Sequence, residues 1–180
     1  MYARLDTGAG ISGDALGDTY TGVENLTGRG GGDILVGDAG TNTLTGGAGA
    51  DYLTGQGGTD TVSYSGSSSA VTVNLATGSG SGGDALGDTY ASIESIIGSA
   101  YADTLTGDAS ANTLNGGAGD DTLTGGAGDD LFVFGNFDDD DTVNDFAAGS
   151  GAGDILDIQA FNFADFDAVI AACTDSGSNC

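Results

Sequence analysis

The sequence predicts an all-β chain: a parallel β-roll, or β-solenoid, of stacked nine-residue turns closed by a short C-terminal helix. Three observations predict it: a nine-residue period, a second and longer repetition, and a composition rich in Gly and Asp with no proline. Repetition decides such a fold before local propensity does, because each unit must bury its apolar face against its neighbours.

The longer repeat sets the domain plan. GDALGDTY at 13–20 returns at 83–90, and LTGGAGADYLTG at 44–55 returns as LNGGAGDDTLTG at 114–125. The shift that carries Gly13 onto Gly83 also carries Leu44 onto Leu114, so the chain aligns with itself without gaps. We therefore read two copies of one module, 1–70 and 71–140, followed by a different region, 141–180.

The shorter repeat sets the local structure. Copy one reads GRGGGDILV, GDAGTNTLT, GGAGADYLT and GQGGTDTVS over 28–63; copy two reads GSAYADTLT, GDASANTLN, GGAGDDTLT and GGAGDDLFV over 98–133. Each unit is a six-residue turn ending in Asp or Asn, then a three-residue strand with an apolar centre. Side chains alternate between faces of a strand, so only that central residue points inward. The predicted core is Leu35, Leu44, Leu53, Val62, Leu105, Leu114, Leu123 and Phe132. Glycine turns reverse the chain, since glycine reaches positive φ at little cost. Two units then complete one coil of a flattened spiral, and parallel neighbours are strands two units apart in the sequence.

The rest of each module reads as irregular coils of the same spiral around a Gly/Ser loop. Val71, Val73 and Leu75 alternate as a strand should, and Ile93, Ile96 and Ile97 suggest another buried rung. GGDALGD at 82–88 and its partner at 13–18 are compatible with a further ion but read first as ordinary polar loops. A ninth turn is expected at 136–141 with Val143 inward, provided Phe134 and Gly135 are extra. Beyond it Ile155, Leu156 and Ile158 suggest a last strand. Phe163, Phe166, Val169 and Ile170 fall on one helical face behind Asp165 as N-cap. Such a helix would cover the open end of the spiral.

The net charge of −25 comes from 27 acids, of which only Glu24 and Glu94 are glutamate, against Arg4 and Arg29. Nucleic-acid binding needs a basic footprint, and recruitment to anionic lipid needs polybasic segments; both are excluded. No segment has the length of a membrane span, so membrane insertion is not expected. With no His or Lys to activate a nucleophile, and acids in a ladder rather than a cleft, no catalysis is expected.

What such a surface attracts is a cation. Adjacent coils stack about 4.8 Å apart, so Asp33 faces Asp51, Asn42 faces Asp60, Asp103 faces Asp121, and Asn112 faces Asp130. Two carboxylates that close repel by about 1 kcal/mol in water and more at lower dielectric. An all-oxygen ligand set of carboxylates, amides and carbonyls suits Ca²⁺, with its flexible six- to eight-fold coordination, better than Mg²⁺. Softer metals lack their His or Cys cluster.

The unit matches GGxGxDxUx, and the chain resembles the hemolysin-type calcium-binding repeats of the RTX (repeats-in-toxin) family. GGAGADYLT, GGAGDDTLT and GGAGDDLFV match completely; the other five units are degenerate. The resemblance implies several Ca²⁺ ions, each held by carbonyls of one turn and by carbonyls plus the final Asp of the next but one. Carried over, one site joins Gly107 and Asn112 to Gly125, Gly126, Gly128, Asp129 and Asp130. A second joins Asp103 to Gly116, Gly117, Gly119, Asp120 and Asp121, its GSAYAD half short of two glycines. A third joins Gly28 and Asp33 to Gly46, Gly47, Gly49 and Asp51. Asn42 with Asp60 and the terminal Asp141 complete the set.

The resemblance further implies an extracellular or cell-surface protein that folds on Ca²⁺ capture. The chain would be the secretion and folding module of a type I-secreted protein, with the secretion machinery as partner. The alternative is a structural or adhesive repeat of a surface layer, adhesin or filament assembled through calcium. Both ends suggest a fragment of a larger exported protein. Cys173 and Cys180 would suit an oxidising compartment if bridged, and free thiols in the tail are the other reading.

Overall fold

The computed structural model describes residues 1–135, 139–147 and 153–157. Its strands are β1 (Tyr2–Arg4), β2 (Ala9–Ser12), β3 (Asn25–Thr27), β4 (Ile34–Val36), β5 (Thr43–Thr45), β6 (Tyr52–Thr54), β7 (Thr61–Ser63), β8 (Thr72–Asn74) and β9 (Ser79–Ser81). They continue as β10 (Thr89–Ala91), β11 (Ser95–Ile97), β12 (Thr104–Thr106), β13 (Thr113–Asn115), β14 (Thr122–Thr124), β15 (Leu131–Val133), β16 (Thr142–Val143) and β17 (Ile155–Asp157).

Alternate repeat strands go to opposite walls, as a two-unit coil requires. One sheet has the order β16-β14-β12-β8-β9-β10-β6-β4-β1-β2, the other β17-β15-β13-β11-β7-β5-β3. Repeat strands pair in parallel at the expected offset: Leu35 lies beside Leu53, Leu44 beside Val62, Leu105 beside Leu123, and Leu114 beside Phe132. All eight of these central residues have no exposed surface. Fully burying one such side chain contributes roughly 1.5–3 kcal/mol, so two apolar columns hold the walls together. Val73 and Ile96 extend the columns with no exposed surface, and Val71 and Ile93 are buried beside them.

Outside the repeats the spiral is not merely irregular. β8, β9 and β10 form an antiparallel meander within the first sheet, with β8 pairing β12 and β10 pairing β6 in parallel. This corrects the expectation of a Gly/Ser loop between coils: the segment Ser79–Ser81 is itself a strand. Its SGS sequence carries no apolar residue, because its outer face is solvated and its neighbours supply the core. The β1–β2 hairpin is the counterpart in copy one. Loop 82–88 holds a short 3-10 turn, Gly83–Ala85, with Ala85 fully buried.

β16 pairs with β14, Thr122 beside Thr142, slightly further along the chain than two whole units would place it. The surplus is what Phe134 and Gly135 insert. β17 pairs with β15 and places Leu156 beside Phe132. The helix expected around 163–170, Ile158 and both cysteines lie outside the described residues. Among the described residues no helix is long and apolar enough to cross a membrane.

Candidate metal sites

Turns stack in pairs along the two edges of the roll. Each pair has a leading turn (28–33, 37–42, 98–103 or 107–112) and a trailing turn two units later (46–51, 55–60, 116–121 or 125–130). In every pair the trailing acid reaches back one coil. Its Oδ1 accepts the backbone N–H of the leading turn's last residue: Asp33 to Asp51 at 2.7 Å, Asn42 to Asp60 at 2.8 Å, Asp103 to Asp121 at 2.7 Å, Asn112 to Asp130 at 2.8 Å. The facing residues predicted from the nine-residue period are thus brought together, and all eight are buried.

The two turns of a pair differ. In the leading turn the last side chain closes its own loop, accepting the N–H of the second turn residue: Arg29 to Asp33 Oδ2 at 2.9 Å, Asp38 to Asn42 Oδ1 at 2.7 Å, Ser99 to Asp103 Oδ2 at 2.5 Å, Asp108 to Asn112 Oδ1 at 2.7 Å. In the trailing turn the second and fourth residues have positive φ: Gly47 and Gly49, Gln56 and Gly58, Gly117 and Gly119, Gly126 and Gly128. In three of the four the second oxygen is left open. Oδ2 of Asp51, Asp60 and Asp121 is buried with no hydrogen-bond partner. A buried carboxylate oxygen without a donor is costly, and three in equivalent positions point to a cation as the missing partner.

Glycine keeps the surroundings open. A β-carbon on Gly28 would collide with the Gly46 carbonyl oxygen and with Asp33 Oδ2, well inside the 3.0 Å that real β-carbons keep. On Gly107 it would collide with the Gly125 carbonyl oxygen and Asn112 Oδ1, and on Gly116 with Asp121 Oδ2. Carbonyl and carboxylate oxygens therefore converge where a side chain would sit. Among the described residues no three His, Cys, Asp or Glu side chains converge. An ion here would draw largely on carbonyls, which is oxygen chemistry of the calcium type. Asp120 and Asp129 are exposed at the fifth turn position. Asp120 accepts the Asp140 N–H at 2.9 Å, so its carboxylate lies on the outside of the ladder.

The electrostatics follow from burial. Desolvation is the first cause raising Asp51, Asp60, Asp130 and Asp141 above the ordinary carboxylate range, with neighbouring acids adding to it. Asp121 is pushed up to about 7 by the same burial, against the Asp103 N–H and together with Asp141 and Asp103.

The ladder is longer than the repeats. Asp88 Oδ1 accepts the Asp51 N–H at 2.8 Å, Glu94 Oε2 the Asp60 N–H at 2.9 Å, Asp141 Oδ1 the Asp121 N–H at 2.9 Å, and Asp154 Oδ1 the Asp130 N–H at 3.1 Å. Sequence reasoning missed Glu94 and Asp154 and read Asp88 only as part of a polar loop, because separations of 37, 34 and 24 residues break the period. A signal was there: each acid stands two residues before an inward side chain (Tyr90, Ile96, Leu156), as Asp33 stands before Leu35. Asp145 adds a further contact, accepting the Gly125 and Gly126 N–H groups at 2.9 and 2.8 Å.

A flattened parallel roll with acid-tipped glycine turns, open oxygens and carbonyl-lined edges defines a cation-binding β-roll. The family model of the RTX calcium-binding nonapeptide repeat matches in four copies, at 27–62, 89–123, 97–132 and 107–141. The chain belongs to that family, whose repeats bind calcium. A comparison with curated proteins gave no match.

Proposed function

We propose that this chain is an extracellular β-roll that folds as it captures Ca²⁺, serving as the secretion and folding module of an exported protein. The observation that carries this reading is the set of buried, unpartnered Oδ2 atoms of Asp51, Asp60 and Asp121, each in a glycine turn beneath a parallel coil. On this reading the trailing acids Asp51, Asp60, Asp121 and Asp130, with turn carbonyls such as those of Gly46 and Gly125, form the ligand set. The bound ion supplies the positive charge that the facing acids lack.

The residues then account for the coupling. Without a cation, the turns must desolvate like charges beside one another. The glycines that make the turns lose more freedom on folding than other residues, roughly 0.5–1 kcal/mol each relative to Ala. Ligand binding and folding are then one equilibrium. Extracellular calcium modules bind with Kd on the order of 10⁻⁴–10⁻³ M, so a chain unfolded in a calcium-poor cytosol would order outside the cell. Sedimentation velocity across a calcium titration tests the role. A monomer that contracts supports the folding module; calcium-dependent oligomers would contradict it and favour a surface-assembly role.

A further inference from the structure

The Asp88 rung carries no open oxygen and takes its second bond from a buried side chain. Asp88 is 1 % exposed. Its Oδ1 takes the ladder bond from the Asp51 N–H, and its Oδ2 accepts the Tyr64 hydroxyl at 2.6 Å. In Asp51, Asp60 and Asp121 that second oxygen has no donor. The Tyr64 hydroxyl also lies 2.5 Å from the Tyr90 hydroxyl. A phenol has one proton, and that of Tyr64 is given to Asp88, so Tyr90 is the donor to Tyr64. Asp51 N–H, Asp88, Tyr64 and Tyr90 thus form a continuous chain of bonds. Both tyrosine rings are buried in the core, at 2 % and 7 % exposure.

The cluster spans the module boundary. Tyr64 follows β7, the last repeat strand of copy one; Asp88 and Tyr90 belong to the meander of copy two. Copy one does not bury the same carboxylate: Asp18, the counterpart of Asp88, is exposed. The counterpart of Tyr64 in copy two is Phe134, which has no hydroxyl.

We propose that Tyr64, Asp88 and Tyr90 form a cation-free clamp that joins the two modules, a tyrosine hydroxyl taking on Asp88 the place that calcium takes on the trailing acids. The inference rests on the calcium reading of those acids. The clamp divides the ladder on its edge into two arrays, whereas the opposite edge runs through the boundary by way of Glu94. The junction then depends less on calcium than the repeats do, and buried hydrogen bonds in a low-dielectric core hold it.

Hydrogen exchange of the full chain in chelator and in calcium tests this. In chelator, the amide of Asp51 and those at 61–64 and 88–91 should exchange at least about tenfold more slowly than those of 98–133, the factor expected from a hydrogen bond to a charged group. Tyr64→Phe should abolish that difference while its exchange in saturating calcium stays that of the parent. Tyr20→Phe, the counterpart substitution in copy one, should leave the difference intact. A junction no slower than the repeats in chelator, or a Tyr64→Phe chain that keeps the difference, would overturn the clamp and leave calcium-driven folding standing. Uniformly slow exchange in chelator would overturn calcium-driven folding, and with it the contrast on which the clamp rests.

Discussion

Leading and trailing turns share one consensus and one register, yet they solve the same electrostatic problem in opposite ways. The leading turn satisfies its terminal side chain internally, by the N–H of its own second residue. The trailing turn twists that second residue into the left-handed region, and in three of the four the carboxylate is left with an open oxygen. The sequence carries the trace of this division. Both turn-ending asparagines of the repeats, Asn42 and Asn112, stand in leading turns, and all four trailing turns end in Asp. An amide oxygen can accept one N–H as well as a carboxylate can, but it cannot offer a second, charged oxygen. The difference teaches that ion binding and turn closure are separate tasks, each assigned to one member of a stacked pair.

The largest effect should come from removing the left-handed twist. Gly47 has φ 87°, and a β-carbon there would collide with the Arg29 carbonyl oxygen. Gly47→Ala then adds a backbone clash to the roughly 1–2 kcal/mol that an L residue loses in that conformation. We expect the folding transition of copy one to vanish at millimolar calcium, measured by circular dichroism. Arg29→Ala, at the same position of the leading turn, should shift the calcium midpoint less than about twofold, as surface substitutions usually do.

Next in size is the open oxygen itself. Asp121→Asn should raise the calcium midpoint by about tenfold or more, since a buried charged ligand is lost. Asp103→Asn keeps an oxygen for the Ser99 N–H, as Asn112 does for Asp108, gives up the oxygen that accepts the Val71 N–H, and removes no open oxygen, so it should cost less calcium affinity. Calorimetric titration of the two variants separates them. Equal losses would break the distinction between the turns.

Protons should mimic calcium at the trailing acids. The folded-state pKa values of Asp51, Asp60, Asp121 and Asp130 are raised, Asp121 to about 7, and that of Asp88 to about 6. A raised folded pKa contributes stability that is present below the unfolded carboxylate pKa and is lost as pH rises through the folded value. In chelator, therefore, the roll should be more ordered near pH 4 than at pH 8, with the loss running through pH 6–7. In calcium the order reverses, because the ligands must shed protons to bind. Dichroism at several pH values, with and without chelator, reads both limbs.

The smallest effect is expected at Asp120 and Asp129, whose side chains are exposed. Alanine at either position should change the calcium midpoint less than about twofold in physiological salt, where exposed charges are screened. A tenfold loss in calorimetric affinity would place those carboxylates in the ligand shell after all.

Much of this architecture is legible in the sequence, for a physical reason. A three-residue strand has one inward side chain, so Leu35, Leu44 and their counterparts announce the core. A constant coil length turns an offset of two units into spatial contact, so Asp33 and Asp51 announce the ladder. What stays hidden is whatever breaks the coil length while preserving the stacking. Asp88, Glu94 and Asp154 occupy rungs at other offsets, and the β9 strand SGS has no apolar residue to betray it. The division between turns is hidden too. It lives in backbone φ, and Gln56 adopts the trailing conformation at 83° without being glycine.

The central claim, that open oxygens on trailing turns make folding depend on Ca²⁺, is met most directly by far-UV circular dichroism during a calcium titration from micromolar to ten millimolar, with Mg²⁺ in parallel. A cooperative transition from coil to β structure with Ca²⁺ alone is the predicted result. A chain already fully β-structured in chelator at pH 8, or one that Mg²⁺ folds equally well, would contradict it.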